Sequence, residues 1–201
     1  MIDTIIFDIG NVLVPFNWRE VYSDIFDAAT AEAVGRATVM DAETWNEFDR
    51  GCLSDGELFA RFYSNAPEYR EQIDFGVWEI YRRMKPYGYS TGWIKSLKGN
   101  GYKVYLLSNF GKTPFETACK SFDFINDVDG GIISYEVRDV KPNPSIFKIL
   151  CAKYNIEPQN AVFIDDNAAN VEAAGALGFG TVLFTDYSDA CQRLGALGVI
   201  L

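Results

Sequence analysis

Five short runs of apolar residues are spaced along the chain: Thr4–Asp8, Lys103–Ser108, Gly131–Ser134, Ala161–Ile164 and Gly180–Phe184. Each is nearly continuous in Ile, Val, Leu, Phe or Tyr and does not alternate apolar with polar, which predicts parallel strands buried on both faces. Helical patterns lie between the later runs. In Thr113-Pro114-Phe115-Glu116 the spacing predicts a helix start, with a capping hydroxyl, proline at the first helical position and glutamate at the third. Asn143-Pro144 repeats the cap-then-proline order, and Ile146, Ile149, Leu150 and Tyr154 then share one face. Strand alternating with helix predicts an α/β fold, a doubly wound five-stranded parallel sheet with helices on both sides.

The stretch between the first two runs has another character. Val21, Tyr22, Ile25 and Phe26 recur at helical spacing, as do Leu58, Phe59, Phe62 and Tyr63. Ser54-Asp55-Gly56-Glu57 has the form of a capping box, with Leu53 placed to staple against Leu58. No strand pattern is present, and Lys85-Pro86 breaks the run. We therefore expect a helical insertion over residues 15–86, with residues 1–14 and 87–201 forming one α/β core.

Composition narrows the chemistry. The 201 residues include 28 acidic and 18 basic side chains, a net charge of −10, and no histidine. An imidazole base, a Ser-His-Asp triad and a histidine metal site are excluded. The acidic balance argues against nucleic acid or an anionic membrane as partner, because both are bound through a basic face. Asp3 and Asp8 interrupt the first apolar run, and the first basic residue is Arg19, so no secretory signal is expected. The four cysteines, Cys52, Cys119, Cys151 and Cys191, form no CxxC pair, and a reduced, cytoplasmic setting is the expectation.

Ligands of open α/β sheets sit at the carboxyl ends of the strands, and four such ends carry candidate chemistry. The first run closes Phe7-Asp8-Ile9-Gly10-Asn11-Val12, where a carboxylate precedes a glycine-containing turn suited to a nucleophile or metal ligand. The second closes Leu107-Ser108-Asn109, which offers neutral donors to phosphate oxygens, though Ser-Asn after a strand is also an ordinary turn. Lys141-Pro142-Asn143-Pro144 follows the third, with proline holding Lys141 extended, and a solvated lysine is the plain alternative. The fourth closes Phe163-Ile164-Asp165-Asp166-Asn167. Adjacent acids there need a cation to stay ionised, and helix capping accounts for Asn167 or one acid but hardly for both aspartates.

A carboxylate, a hydroxyl, a lysine and an acidic pair, in this order after successive strands, resemble the four motifs of the haloacid dehalogenase-like hydrolase superfamily. Val140-Lys141-Pro142-Asn143-Pro144-Ser145-Ile146-Phe147 and Phe163-Ile164-Asp165-Asp166-Asn167 through Leu177-Gly178 are similar to signatures of its branch with a helical cap inserted after the first motif. The resemblance implies a Mg²⁺-dependent hydrolase, most simply a phosphatase of a small phosphorylated metabolite. In that scheme Asp8 attacks phosphorus to give an aspartyl-phosphate; Asp8, the Gly10 carbonyl, Asp166 and Asp165 serve the metal. Gly10, Asn11, Ser108, Asn109 and Lys141 hold the phosphoryl group, with Lys141 counted among the catalytic residues. The expected assembly is a monomer or weak homodimer.

One position departs from the resemblance. Phosphatases of the superfamily carry a second aspartate two residues after the nucleophile as proton donor and acceptor, and here that residue is Gly10. Three explanations stay open: a substrate with a good leaving group such as a sugar 1-phosphate, which the similarity of Asp8-Ile9-Gly10-Asn11-Val12 to a bacterial α-D-glucose-1-phosphate phosphatase subgroup favours; a 2-haloacid dehalogenase, whose halide needs no proton; or a phosphate-binding module without catalysis. In the insertion, Trp18, Trp45, Glu47, Asp49 and Arg50 are candidates for substrate contact, against the plainer reading of core tryptophans and solvated charges. Cys52 is expected to be a small apolar filler.

Overall fold

The computed structural model describes residues 1–201. The first strand, β1 (Thr4–Phe7), is followed by five helices: α1 (Trp18–Ile25), α2 (Ala28–Ala37), α3 (Ala42–Asp49), α4 (Asp55–Asn65) and α5 (Arg70–Arg83). Helix α6 (Ser90–Gly99) leads into β2 (Lys103–Ser108), and α7 (Lys112–Ala118) precedes β3 (Gly130–Ile133). Then come α8 (Ser134–Val137), α9 (Pro144–Tyr154), β4 (Ala161–Asp165), α10 (Ala168–Ala176), β5 (Gly180–Leu183) and α11 (Tyr187–Ala196). All five strands pair in parallel in the order β3-β2-β1-β4-β5. The expected sheet is present, with strand ends shifted by a residue at most.

β1 is the central strand, so the chain reverses its winding beside it, and the crevice outside its carboxyl end is where such sheets bind ligands. Side chains alternate across the sheet. Ile5, Phe7, Val104, Leu106, Val162 and Ile164 enter one apolar cluster, while Ile6, Tyr105, Leu107, Ala161 and Phe163 enter another with α9 and α10. The first holds 38 buried residues and the second 12, because the first runs without a break into the inserted helices through Phe48, Leu58, Phe62 and Tyr81. The sheet is thus buried on both sides, which is why its strands read as continuous apolar runs.

Local signals held in part. Ser54 and Glu57 form the reciprocal capping box at the start of α4, and Asn167 caps α10 through the Ala169 N–H. The expectation at Thr113 is corrected: α7 begins at Lys112 with Gly111 as its cap. Thr113 lies inside the helix, where its hydroxyl donates to Asp55 on α4 at 2.9 Å. Asn143 caps α9 by backbone position only, since its amide donates to Asp139.

Candidate active site

Asp8 follows β1 directly, and its N–H donates to the Ile164 carbonyl at 2.9 Å, fixing it at the carboxyl end of the sheet. The chain then turns through Gly10 and Asn11, which takes the left-handed conformation (φ 53°) that asparagine tolerates better than most residues. The Asp8 carboxyl is almost buried. Its Oδ1 accepts from the Ile9 N–H at 2.7 Å and the Ser108 hydroxyl at 2.6 Å, and lies 2.9 Å from Lys141 Nζ. No donor reaches Oδ2.

Lys141 is buried between two carboxylates, Asp8 and Asp165, the latter at 2.6 Å. Its backbone is gripped from both sides by the Asn109 side chain: the Lys141 N–H donates to Asn109 Oδ1 at 2.9 Å, and Asn109 Nδ2 donates to the Lys141 carbonyl at 3.0 Å. The Asn109 carboxamide, expected to face phosphate, is spent on holding Lys141, although the residue still lines the cleft. Asp165 is fully buried and does not line the cleft. Besides Lys141 it accepts from the Asn167 N–H at 2.8 Å and from Asn170 Nδ2 at 3.0 and 3.1 Å. Asp166 points to the open side and accepts from Asn11 Nδ2 at 3.0 Å.

Burial pushes the Asp8 carboxyl up to about 6; Lys141 opposes the rise and the Asp165 charge adds to it. Burial acts on Lys141 in the other direction, pulling the ammonium down, but Asp8 and Asp165 outweigh it and its affinity for the proton is raised. Asp166 is also raised, chiefly by desolvation. Three carboxylates against one ammonium leave this corner with a deficit of positive charge. One oxygen of each of Asp8, Asp165 and Asp166 lies within 4.8 Å of the others. Hard oxygen donors so grouped suit a divalent cation such as Mg²⁺.

The cleft above these groups has a volume of about 220 Å³. Asp8, Gly10, Asn11, Ser108, Asn109, Lys141 and Asp166 make its polar floor. Phe16, Trp45, Tyr81, Met84 and Phe110 make an apolar wall, in which the Trp45 ring stacks on Phe62 and Tyr81 at 6.0 and 6.4 Å between centroids. Lys141 is the only cation lining it. Of the residues singled out in the insertion, Trp45 and Asp49 reach the cleft and the others do not. Trp18 packs on Tyr22 and Arg19, Glu47 pairs with Arg61 at 2.8 Å, and Arg50 is not in the cleft wall. Cys52 is exposed, which corrects its reading as a filler.

Sequence reasoning passed over Phe16, Tyr81, Met84 and Phe110 as wall residues, and Asn170 as the second support of Asp165. Asn170 had a signal, standing one helical turn after the cap Asn167 and hence on the same side as the strand end. The aromatic residues had none that separated them from core.

The chain is similar to known proteins over nearly its whole length. The family model for haloacid dehalogenase-like hydrolase matches residues 2–178. A D-ribitol-5-phosphate phosphatase of Bacteroides thetaiotaomicron is 28% identical over 209 residues, spanning 96% of this chain and 97% of that protein. A sesquiterpene phosphatase of Aspergillus oryzae is 24% identical over 193 residues, spanning 96% and 94%. Among solved structures, a haloacid dehalogenase family enzyme from B. thetaiotaomicron, in complex with magnesium and inorganic phosphate, superposes with a TM-score of 0.70 at 23% identity, covering 94% of this chain and 98% of that one.

Proposed function

The chain belongs to the haloacid dehalogenase-like hydrolase family, and on that footing we propose that it is a Mg²⁺-dependent phosphatase of a small phosphorylated metabolite, acting through an aspartyl-phosphate on Asp8. The observation that carries this reading is the asymmetry of the Asp8 carboxylate. Oδ1 is held by three donors, whereas Oδ2 is free at the floor of a cleft. A carboxylate fixed by one oxygen presents the other in a single orientation, which is what in-line attack on phosphorus requires.

Each remaining polar group then has a role. Lys141 lowers the repulsion between the anionic phosphoryl group and Asp8, and Ser108 keeps Asp8 aimed. Asp165, saturated by Lys141, Asn167 and Asn170, acts by keeping Lys141 charged and in place. Gly10, Asn11 and Asn109 shape the floor that receives the phosphoryl oxygens. Mg²⁺, when bound by Asp8, the Gly10 carbonyl and Asp166, supplies the further positive charge that phosphoryl transfer needs. In the same reading residues 15–86 form a cap over a core of residues 1–14 and 87–201, and the cap closes the cleft to water.

The wall of Phe16, Trp45, Tyr81, Met84 and Phe110 supports a reading of the kind of substrate. With Lys141 the only lining cation, the cleft suits one phosphate and an uncharged remainder with an apolar face. A sugar 1-phosphate fits that description. That two relatives are phosphatases supports the reaction class.

The test is a screen of phosphate release from sugar phosphates, nucleotides and small phosphorylated acids, with Mg²⁺ and with EDTA, beside halide release from 2-chloropropionate. Mg²⁺-dependent phosphate release from a compact, singly phosphorylated substrate is expected. Halide release that persists in EDTA, without phosphate release, would overturn the proposal in favour of dehalogenation.

A further inference from the structure

Expelling an alkoxide from a phosphate ester requires a proton at the leaving oxygen, and water attacking the aspartyl-phosphate must lose one. None of the polar floor residues is free to do this. Asp8 is committed as acceptor of the phosphoryl group, Lys141 is locked between two carboxylates, and Asp166 is held by Asn11 on the open side. Position 10, where the resemblance to the family would place the proton donor, carries no side chain, although a Cβ there would meet nothing within 4 Å.

We propose that Asp49, the last residue of α3, is the catalytic residue that gives this proton and takes it back. The inference rests on the phosphatase reading above and supplies its missing acid from the inserted helices.

Asp49 lines the same cleft as Asp8 and is almost buried, and unlike Lys141 and its partners it forms no ion pair. Two glycines allow it to be there. A Cβ on Gly111 would stand 2.6 Å from the Phe48 ring, so a larger residue would push the end of α3 away from the exit of β2. Gly51, at φ +70°, turns the chain away beneath Asp49, where a Cβ would stand 3.0 Å from the Tyr135 carbonyl. The Ser134 hydroxyl then fastens the point: it donates to the Asp49 carbonyl at 2.6 Å and accepts from the Phe110 N–H at 2.9 Å. The backbone of Asp49 is pinned to the sheet while its carboxyl has no cationic partner in contact and accepts from the Gly111 N–H.

The groups acting on that carboxyl are the Gly111 N–H, Asp8 and Lys141, with Tyr81 close enough on α5 to feel its charge. Burial dominates and pushes Asp49 up to about 7, the Asp8 charge adding to the rise while Gly111 and Lys141 oppose it. Both protonation states are therefore populated near neutrality, as a group that alternates between acid and base requires. Tyr81 cannot substitute, since burial holds its phenol far above the neutral range.

The step balances. As the Asp8 oxygen bonds to phosphorus and the ester P–O bond breaks, the Asp49 proton passes to the departing oxygen and yields an alcohol. Asp49 carboxylate then takes a proton from the water whose oxygen bonds to phosphorus, the Asp8–phosphorus bond breaks, and orthophosphate leaves with both carboxyl groups restored.

The test compares wild type and Asp49→Asn on glycerol 3-phosphate and on p-nitrophenyl phosphate, whose phenolate leaves without a proton. For the variant, kcat/KM on glycerol 3-phosphate should fall by about 10²–10⁴, the usual contribution of a general acid, and on the aryl ester by much less. Because water attack also lacks its base, the aryl ester should show a burst of nitrophenolate followed by slow turnover. Equal losses of kcat/KM on the two substrates, with no burst, would overturn the acid role and leave the Asp8 reading standing. Asp8→Asn should release no nitrophenolate; release by that variant would instead overturn the covalent reading and this inference with it.

Discussion

The floor and the wall of the cleft are built on opposite principles. On and beneath the floor every charged side chain has a polar partner, though the carboxylates outnumber the one ammonium: Lys141 lies between Asp8 and Asp165, Asp165 accepts three further hydrogen bonds, and Asp166 accepts from Asn11. On the wall the groups are four aromatic rings and Met84, and the one acid beside them, Asp49, has no ion pair. Paired charges in a buried place hold geometry, because breaking a pair exposes a desolvated ion. An unpaired acid against an apolar wall changes its proton affinity instead. In the proposed mechanism the sheet side orients an anion, and the helical side keeps water out and moves a proton.

The strongest way to break this comparison is at the nucleophile. Asp8→Asn keeps the hydrogen bonds from Ile9 and Ser108 possible but removes the attacking charge, so turnover should fall to background while the circular dichroism spectrum and melting curve remain those of a folded protein. Substantial remaining phosphate release would show that the floor does not work by covalent transfer.

Next is the pairing itself. Lys141→Met leaves Asp8 and Asp165 buried without their cation, and urea unfolding at pH 7 should show a loss of about 3–5 kcal/mol, the usual cost of removing one partner of a buried pair. The deficit should shrink on acidification, as the stranded carboxylates protonate. A variant as stable as wild type at pH 7 would mean that the floor does not depend on charge pairing.

The wall answers to pH in the opposite sense. Asp49 is raised to about 7 in the folded chain, whereas an unfolded aspartate titrates near 3.9. The folded state therefore holds its proton more tightly, and the associated stability is full below about pH 4 and is lost as pH rises through about 7. Asp49→Asn removes this loss, so the variant should gain stability relative to wild type between pH 5 and pH 8, by at most about 4 kcal/mol at the upper end. Denaturation at both pH values checks it, and a difference that does not change with pH would contradict the shift.

The smallest effect is expected from the aromatics. Trp45→Ala opens the wall without touching the floor, and should raise KM several-fold with a smaller change in kcat, as removal of uniform binding does. A large fall in kcat with KM unchanged would assign Trp45 to the chemistry instead of to binding.

The floor was legible in the sequence because each of its residues follows a buried strand, and a parallel sheet brings strand ends together whatever lies between. The five apolar runs place Asp8, Ser108 and the Asp165-Asp166 pair at the sheet's carboxyl end, whereas Lys141 lies beyond α8 and, like the choice of Ser108 over an ordinary turn, depended on the resemblance of the four motifs taken together. The wall was legible only in Trp45 and Asp49, named beside Trp18, Glu47 and Arg50, which do not reach it, and its other members were not, for the complementary reason. Asp49 reaches the cleft through the close approach of Phe48 to Gly111 and the Ser134 hydroxyl bond, contacts between segments far apart in the chain that no local period encodes. Trp18 and Trp45 look alike in sequence, and only the packing sends one to Arg19 and the other to the cleft. The same limit misled the reading of Thr113, whose capping pattern yields to a hydrogen bond with Asp55. Ser134 read as the last residue of a strand; it opens α8, and its hydroxyl joins β2 to α3.

The central claim is that Asp8 becomes phosphorylated during turnover. Acid quenching of the Asp49→Asn variant during its burst with p-nitrophenyl phosphate, followed by peptide mass spectrometry, tests it most directly. One phosphoryl group on the peptide that contains Asp8 is the predicted result. Nitrophenolate release with no phosphorylated peptide, or with the label on any other residue, would contradict it.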